Sequence, residues 1–242
     1  MSPTPAELGP LPTGRWSVWK FNWLANHKLL WALERTRHHA RGDLLDLGCG
    51  SRPFAPMFDG RVERYWGTDL RGSQYFGRRP PDAYARADAQ PVRDGSMDTV
   101  AAFSLVTYLP EPAAMFAEAA RVLRPGGVAF VEFAQMEPVL DAPHDYYRYT
   151  RYGARHLLEQ AGFEVLEVLP LGGLWARVGL TLIAGLNRIN RGPTRVLTEL
   201  PVRALYVVLQ LAFEGMDRLF FDPREAMSHL VVARKRGGAP PA

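Results

Sequence analysis

The sequence predicts an α/β fold with a mainly parallel sheet, and three observations predict it. From residue 43 onward, short apolar runs alternate with segments of helical spacing, the pattern of strands joined by helical crossovers. One run, Leu-Leu-Asp-Leu-Gly-Cys-Gly at 44–50, reads as a buried strand that ends on an acid and two glycines. Further acids, Asp69 and Asp88, close the next two expected strands, and open α/β sheets bind ligands at the carboxyl ends of their strands.

Residues 1–14 are rich in proline and lack the apolar stretch of a secretory signal. They are expected to be a disordered tail, as are 237–242. Residues 15–40 form an N-terminal helical segment, where Trp16, Trp19, Trp23, Leu24, Leu30, Trp31 and Leu33 fall largely three or four apart. That spacing suits one or two amphipathic helices, packed on the core or turning tryptophans to a substrate pocket or a membrane surface. The core is expected over 41–173, with strands at 43–47, 62–70, 84–87, 97–104, 127–133 and 163–169. A helix at 112–123 opens on Pro112 and stops at Pro125-Gly126-Gly127, which also opens the next strand. A second helix at 150–161 stops at Gly162, and 222–236 returns a final strand at 228–235.

Residues 174–221 interrupt this order with a long apolar segment of helical pattern. Arg177, Thr181, Ala184, Arg188 and Arg191 mark a polar stripe in its first half, and Glu199, Arg203, Tyr206, Gln210, Glu214 and Asp217 mark one in its second. Asn190-Arg191-Gly192-Pro193 is the turn between them. The reading is an amphipathic helical hairpin inserted before the last strand: a lid, a homodimer contact or a helix pair lying in a membrane interface. Neither half has the roughly 20 uncharged residues that span a bilayer.

Composition narrows the class. One cysteine in 242 residues excludes an internal disulfide and points to the cytoplasm, peripheral to the inner face of the membrane if the hairpin touches lipid. Cys49 itself reads as a small buried residue rather than a nucleophile. A net charge of +4 without a long basic run gives no expectation of nucleic acid binding. No metal cluster is visible, and the adjacent His38 and His39 are expected to share no face and to sit in solvent.

The glycine loop carries the chemistry. Gly48 and Gly50 let the backbone turn sharply and approach a ligand closely. Asp46 would repel the phosphates that most dinucleotide loops cradle, so the loop suits a cationic or amine-bearing ligand. Asp69 can accept both hydroxyls of a ribose. Asp88 can accept from an exocyclic amine, and Ser104 faces the same crevice from the end of the fourth strand.

In this order the motifs LLDLGCG (44–50), GTDL (67–70), ADA (87–89), DGSMDTVAAFSLVTYLPEP (94–112) and RVLRPGG (121–127) resemble the class I S-adenosylmethionine-dependent methyltransferases. The resemblance spans about 43–170 and the final strand. It implies a seven-stranded Rossmann-like sheet, helices on both faces, an antiparallel last strand and S-adenosylmethionine as cofactor. It further implies that Asp46, Gly48 and Gly50 surround the methionine part, Asp69 holds the ribose, and Asp88 with the Ala89 backbone reads adenine. Cys49, Leu70 and Ser104 complete the expected set. Two positions depart from the family: Arg52-Pro53 stands where many relatives have another glycine, and Tyr108 stands where relatives of this type often have histidine.

Pro143-His144-Asp145-Tyr146-Tyr147-Arg148-Tyr149-Thr150 is similar to a loop in bacterial methyltransferase-like proteins of cell-surface glycan or lipid pathways. Histidine is the residue type suited to general-base work near neutral pH, so His144 is the expected base, Asp145 or another acid can orient it, and Tyr108 lies with them in the expected catalytic set. Arg148 either binds an anionic group of the substrate or forms a structural ion pair. The expected reaction is methyl transfer to an oxygen of a small or lipid-linked acceptor such as a glycan, a lipid or a quinone-like ring. A non-catalytic cofactor-binding module is the alternative. A nicotinamide-dependent dehydrogenase shares the acid after the second strand but requires a third loop glycine that this chain lacks.

Overall fold

The computed structural model describes residues 17–73, 75, 80–190 and 195–237, without side chains at 189 and 195–199. The expected tails at 1–14 and beyond 237, Trp16, and most of the Asn190-Arg191-Gly192-Pro193 turn lie outside the described residues. Two compact units divide the chain. One holds Leu33–Leu169 and Ser228 onward; the other holds the chain up to Ala32 together with Pro170–Met227.

The larger unit is built on the expected seven-stranded sheet. Its strands are β1 (Asp43–Leu47), β2 (Arg64–Asp69), β3 (Ala83–Tyr84), β4 (Met97–Ala102), β5 (Leu123–Ala134), β6 (Phe163–Leu171) and β7 (Ser228–Lys235). They lie in the order β3-β2-β1-β4-β5-β7-β6. Neighbours from β3 to β5 run parallel, and β7 pairs with β5 antiparallel, Ser228 opposite Ala134 and Arg234 opposite Val128. Every residue of β1 is buried, as a central parallel strand requires. Two helices, α2 (Pro112–Val122) and α3 (Arg151–Gln160), cover the sheet. Met115, Phe116, Ala119 and Val122 form the buried stripe of α2, and Phe116 stacks on Phe133 of β5. The Thr150 hydroxyl caps α3 by accepting from the Gly153 N–H, and Gly162 (φ 85) ends it.

Some boundaries differ from the sequence expectation for local reasons. The second strand begins at Arg64, not 62, because the Arg61 and Val62 N–H groups are held by the Phe58 carbonyl. The third shrinks to two residues: the Ala85 N–H makes the ladder's last bond, to the Asp69 carbonyl, and the chain then turns at the Arg86–Ala89 bridge. Pro125-Gly126-Gly127 does not form a loop before the fifth strand. That strand starts at Leu123, paired with Met97, and the three residues lie at a register shift inside it. His39 is half-buried, with Nε2 2.8 Å from Glu167, and its ring lies 4.1 Å from that of His38; only His38 meets the expectation of exposure.

The smaller unit contains the hairpin, α4 (Leu174–Ile189) and α5 (Arg195–Leu219), and the part of α1 (Trp23–Thr36) up to Ala32. The N-terminal segment is one helix after a turn, and its Leu24 packs with Ala176 and Met227. Gly179 lets α4 and α5 approach: a Cβ there would stand 2.7 Å from Phe213 Cβ. The polar side of α5 points inward. Asp217 Oδ1 accepts from the Gly173 and Ala176 N–H groups at the start of α4, and Asp217 Oδ2 pairs with Lys28 at 3.0 Å. Glu214 pairs with Lys28 and Arg218. Gln210 accepts from the Leu24 N–H and donates to the Val18 carbonyl. Among the described residues, no helix is long and apolar enough to cross a membrane.

Candidate active site

The carboxyl ends of β1, β2 and β4 converge on the glycine loop. In β1, Leu45 and Leu47 point into the main core, and Asp46 points to the opposite face, where it is 2 % exposed. Tyr65 of β2, beside Leu44 in register, donates its hydroxyl to Asp46 Oδ2 at 2.5 Å. Asp46 Oδ1 is buried and has no hydrogen-bond partner among the described residues. Burial pushes this carboxyl up to about 7, against the opposing pull of the Tyr65 hydrogen bond and the Arg52 charge. A buried acceptor without a donor is costly, and a ligand N–H supplies one.

Gly48 (φ 65) and Gly50 (φ 49) carry the turn. A Cβ on Gly48 would stand 2.8 Å from the Leu105 side chain. Asp69 braces the loop: its Oδ2 accepts from the Gly50 N–H at 2.8 Å and its Oδ1 from the Leu70 N–H at 2.7 Å. A carboxylate has about four acceptor sites, so Asp69 keeps capacity for a ligand diol. Cys49 is buried, its N–H bonded to the Thr68 carbonyl, and its thiol is pushed up to about 12 by burial first and by Asp46 next. It is a packing residue, as expected, and not a thiolate.

Arg52, at the position of the missing glycine, adopts φ 54. Its guanidinium is buried and pairs with Asp82 at 2.8 Å. Gly67 makes this possible, since a Cβ there would lie 2.7 Å from Cys49 Sγ and 2.9 Å from Arg52 Nε. The chain therefore keeps the left-handed turn and holds it by an ion pair.

The adenine-reading positions are engaged locally. Arg86 grips both oxygens of Asp88, and the Ala89 N–H donates to the Arg86 carbonyl. Ser104 (φ 50) follows β4 and donates from its N–H and hydroxyl to Glu132 Oε2. Ser228 donates to the other oxygen of Glu132.

The expected catalytic group comes together only in part. His144 is exposed, and its Nδ1 lies 3.3 Å from the Tyr146 hydroxyl rather than against Asp145. Arg148 binds both oxygens of Asp145 and the Glu137 and Pro138 carbonyls, so Arg148 is a structural clamp and Asp145 does not orient the histidine. Tyr108 is half-buried, and burial, then Glu137 and Asp145, push its hydroxyl up to about 12. Sequence reasoning missed three groups: Tyr65, Glu132 and Glu137. Burial first, then the charge of Glu132, pushes Glu137 up to about 7. Burial also pushes Glu132 upward despite its three donors. The strand register carried a signal for Tyr65. Glu132 lies two residues before the end of an apolar strand, as Asp46 lies one before, and was legible on the same rule.

Comparison with known proteins agrees with this geometry. Residues 45–131 match the family model described as a methyltransferase domain. A protein of Mycolicibacterium smegmatis named "Probable S-adenosylmethionine-dependent methyltransferase" is 30% identical over 161 residues, which span 61% of this chain and 61% of that relative's length. An uncharacterized methyltransferase of Mycobacterium ulcerans is 26% identical over 201 residues, 75% of this chain and 79% of the relative. Among solved structures, the [4+2]-cyclase SpnF superposes with a TM-score of 0.58 at 19% identity, covering 89% of this chain and 84% of its own. The fold is thus shared with a protein named for a different reaction, and the chemistry must be argued from the site.

Proposed function

Since this chain belongs to the class I S-adenosylmethionine-dependent methyltransferases, we propose that it transfers the cofactor's methyl group to an oxygen of a small or lipid-linked acceptor, with Glu137 as the base. The site fits the cofactor. Asp46 Oδ1, without a partner among the described residues, suits an ammonium, Gly48 and Gly50 hold the left-handed turn beside it, and Asp69 retains capacity for a ribose diol. When bound, S-adenosylmethionine supplies a methyl group already activated on a sulfonium. What remains for the protein is orientation and a proton acceptor.

Glu137 carries the acceptor assignment. A carboxyl poised at about 7 takes a proton from a hydroxyl near neutral pH more effectively than an ordinary carboxylate. It lies within electrostatic reach of Tyr108, whose neighbours also include Tyr75 and Asp141. The Tyr75 hydroxyl donates to Asp141 at 3.2 Å, and Tyr146 and Tyr147 are exposed beyond. Tyrosine faces beside carboxylates suit sugar rings and quinone-like rings, which stack and donate hydroxyl hydrogens.

The test has two stages. Calorimetry with S-adenosylmethionine should show binding that weakens about tenfold or more in Asp69→Ala, since the variant also frees the Gly50 N–H. Transfer of labelled methyl to a panel of glycans, lipids and quinols should then fall about 100-fold in kcat for Glu137→Gln, with cofactor affinity kept, and little for His144→Ala. Failure of the folded wild type to bind the cofactor sinks the enzyme reading. An undiminished Glu137→Gln sinks the base assignment alone.

A further inference from the structure

The helix α5 is amphipathic the wrong way round for a helix facing water. Its buried stripe is Tyr206, Gln210, Glu214 and Asp217. Its exposed stripe includes Leu200 (72 % exposed), Leu205, Val208 (62 %), Leu211 (54 %) and Leu219 (78 %). Steps of five, three, three and eight residues keep these side chains on one side of the helix over about five turns. Water-soluble surfaces rarely expose apolar side chains in so continuous a row.

The inversion is locked. Rotating α5 to bury its leucines would tear Asp217 from the Gly173 and Ala176 N–H groups, Glu214 from Lys28, and Gln210 from Leu24 and Val18. Several charged or amide groups would lose their buried partners at once. The hairpin therefore holds its apolar side outward by polar bonds on the inside.

Charge selects the occupant. In the described part of α5 from Leu200 on, both acids are buried inward, and Arg203 and Arg218 are exposed. The segments of this unit, up to Ala32 and Pro170–Met227, hold ten Lys and Arg against six Asp and Glu. They thus carry the whole net charge of +4, and the remainder of the chain is neutral. The same unit exposes Trp19 and Phe21 on either side of Lys20, residue types that favour a membrane–water boundary. A second copy would bring like charge against like charge, whereas anionic headgroups above an acyl layer complement both the arginines and the leucines.

We propose that the exposed face of α5 docks the protein on an anionic membrane surface, the helix lying in the plane of the interface. This does not depend on the methyl-transfer reading. The test is co-sedimentation of the full chain with phosphatidylglycerol vesicles and with phosphatidylcholine vesicles. The wild type should partition onto the anionic vesicles, less onto the zwitterionic ones, and less as salt is raised. Replacing Leu205, Val208 and Leu211 together by glutamate should weaken partitioning about tenfold or more, with the unfolding midpoint retained because all three are exposed. Arg203→Glu should weaken binding to anionic vesicles only. The proposal is overturned if the wild type pellets with neither vesicle, or if the triple variant pellets as well as the wild type. It is equally overturned if light scattering finds a dimer that the triple variant dissolves and no vesicle binding.

Discussion

At the level of single residues, Asp46 ties structure to ligand through its proton. Its carboxyl is raised from 3.8 to about 7 by burial, with Tyr65 on one oxygen and, among the described residues, no partner on the other. The sign follows. A carboxyl raised on folding contributes stability that is fully present below its unfolded value and lost as pH rises through 7. A cation bound beside it prefers the carboxylate, so binding must expel the proton below pH 7. Cofactor affinity should therefore fall by up to about tenfold per pH unit between about pH 7 and 5. Asp46→Asn should flatten that profile while weakening binding most at pH 8. A calorimetric pH series on both proteins decides it, and an unchanged slope in the variant assigns the proton elsewhere. The cofactor half of this site was legible because glycines and strand-end acids are local signals. The acceptor half was not. Asp145 sits next to His144 in sequence, yet the Arg148 fork three residues on takes both of its oxygens, and neighbours in sequence say little about which side chains meet.

Among the elements, the alternation of strands and helices was readable because each carries its own period, 2 or 3.6, over enough residues to repeat. What could not be read was where an element stops without a loop. α2 passes into β5 at Leu123 with no connecting residue, and Pro-Gly-Gly, an ordinary breaker, is absorbed as a strand irregularity. The hairpin stripe was visible too, but periodicity cannot say which side faces in. That was settled by Lys28, nearly two hundred residues from Asp217 in sequence, and by the α4 N–H groups. The pairing of α4 with α5 rests on Gly179, where a Cβ would meet Phe213 Cβ and Cγ at 2.7 Å. Gly179→Val should force the helices apart and destabilise the protein by about 1–3 kcal/mol. Shrinking the obstruction with Phe213→Ala in the same chain should recover part of that loss. Thermal unfolding of the two single variants and the double variant measures the coupling. Strict additivity would place the strain elsewhere.

Across the whole molecule, β7 closes the sheet only after the chain has left the larger unit at Leu169, built the hairpin and returned at Ser228. The strand must therefore be held by its own burial, and residues Ser228–Ala233 are all buried. His229 is the weak point in that arrangement. It lies opposite Phe133, 1 % exposed, with neither ring nitrogen hydrogen-bonded among the described residues. Burial, and then the charge of Arg151, lower it from 6.5 to about 4. A base depressed on folding contributes stability that is complete above its unfolded pKa and lost as pH falls through the folded value. The loss thus runs from about pH 6.5 to 4 and amounts to about 3 kcal/mol. Protonation there puts an unpaired buried charge on β7 opposite Phe133 of β5 and within electrostatic reach of Arg151 of α3. His229→Leu removes the proton and keeps an apolar side chain of similar bulk. Its acid-unfolding midpoint, followed by circular dichroism, should move to lower pH, with stability at pH 8 equal to or above that of the wild type, because no hydrogen bond is lost. Coincident acid transitions would show that the sheet opens on another group's proton.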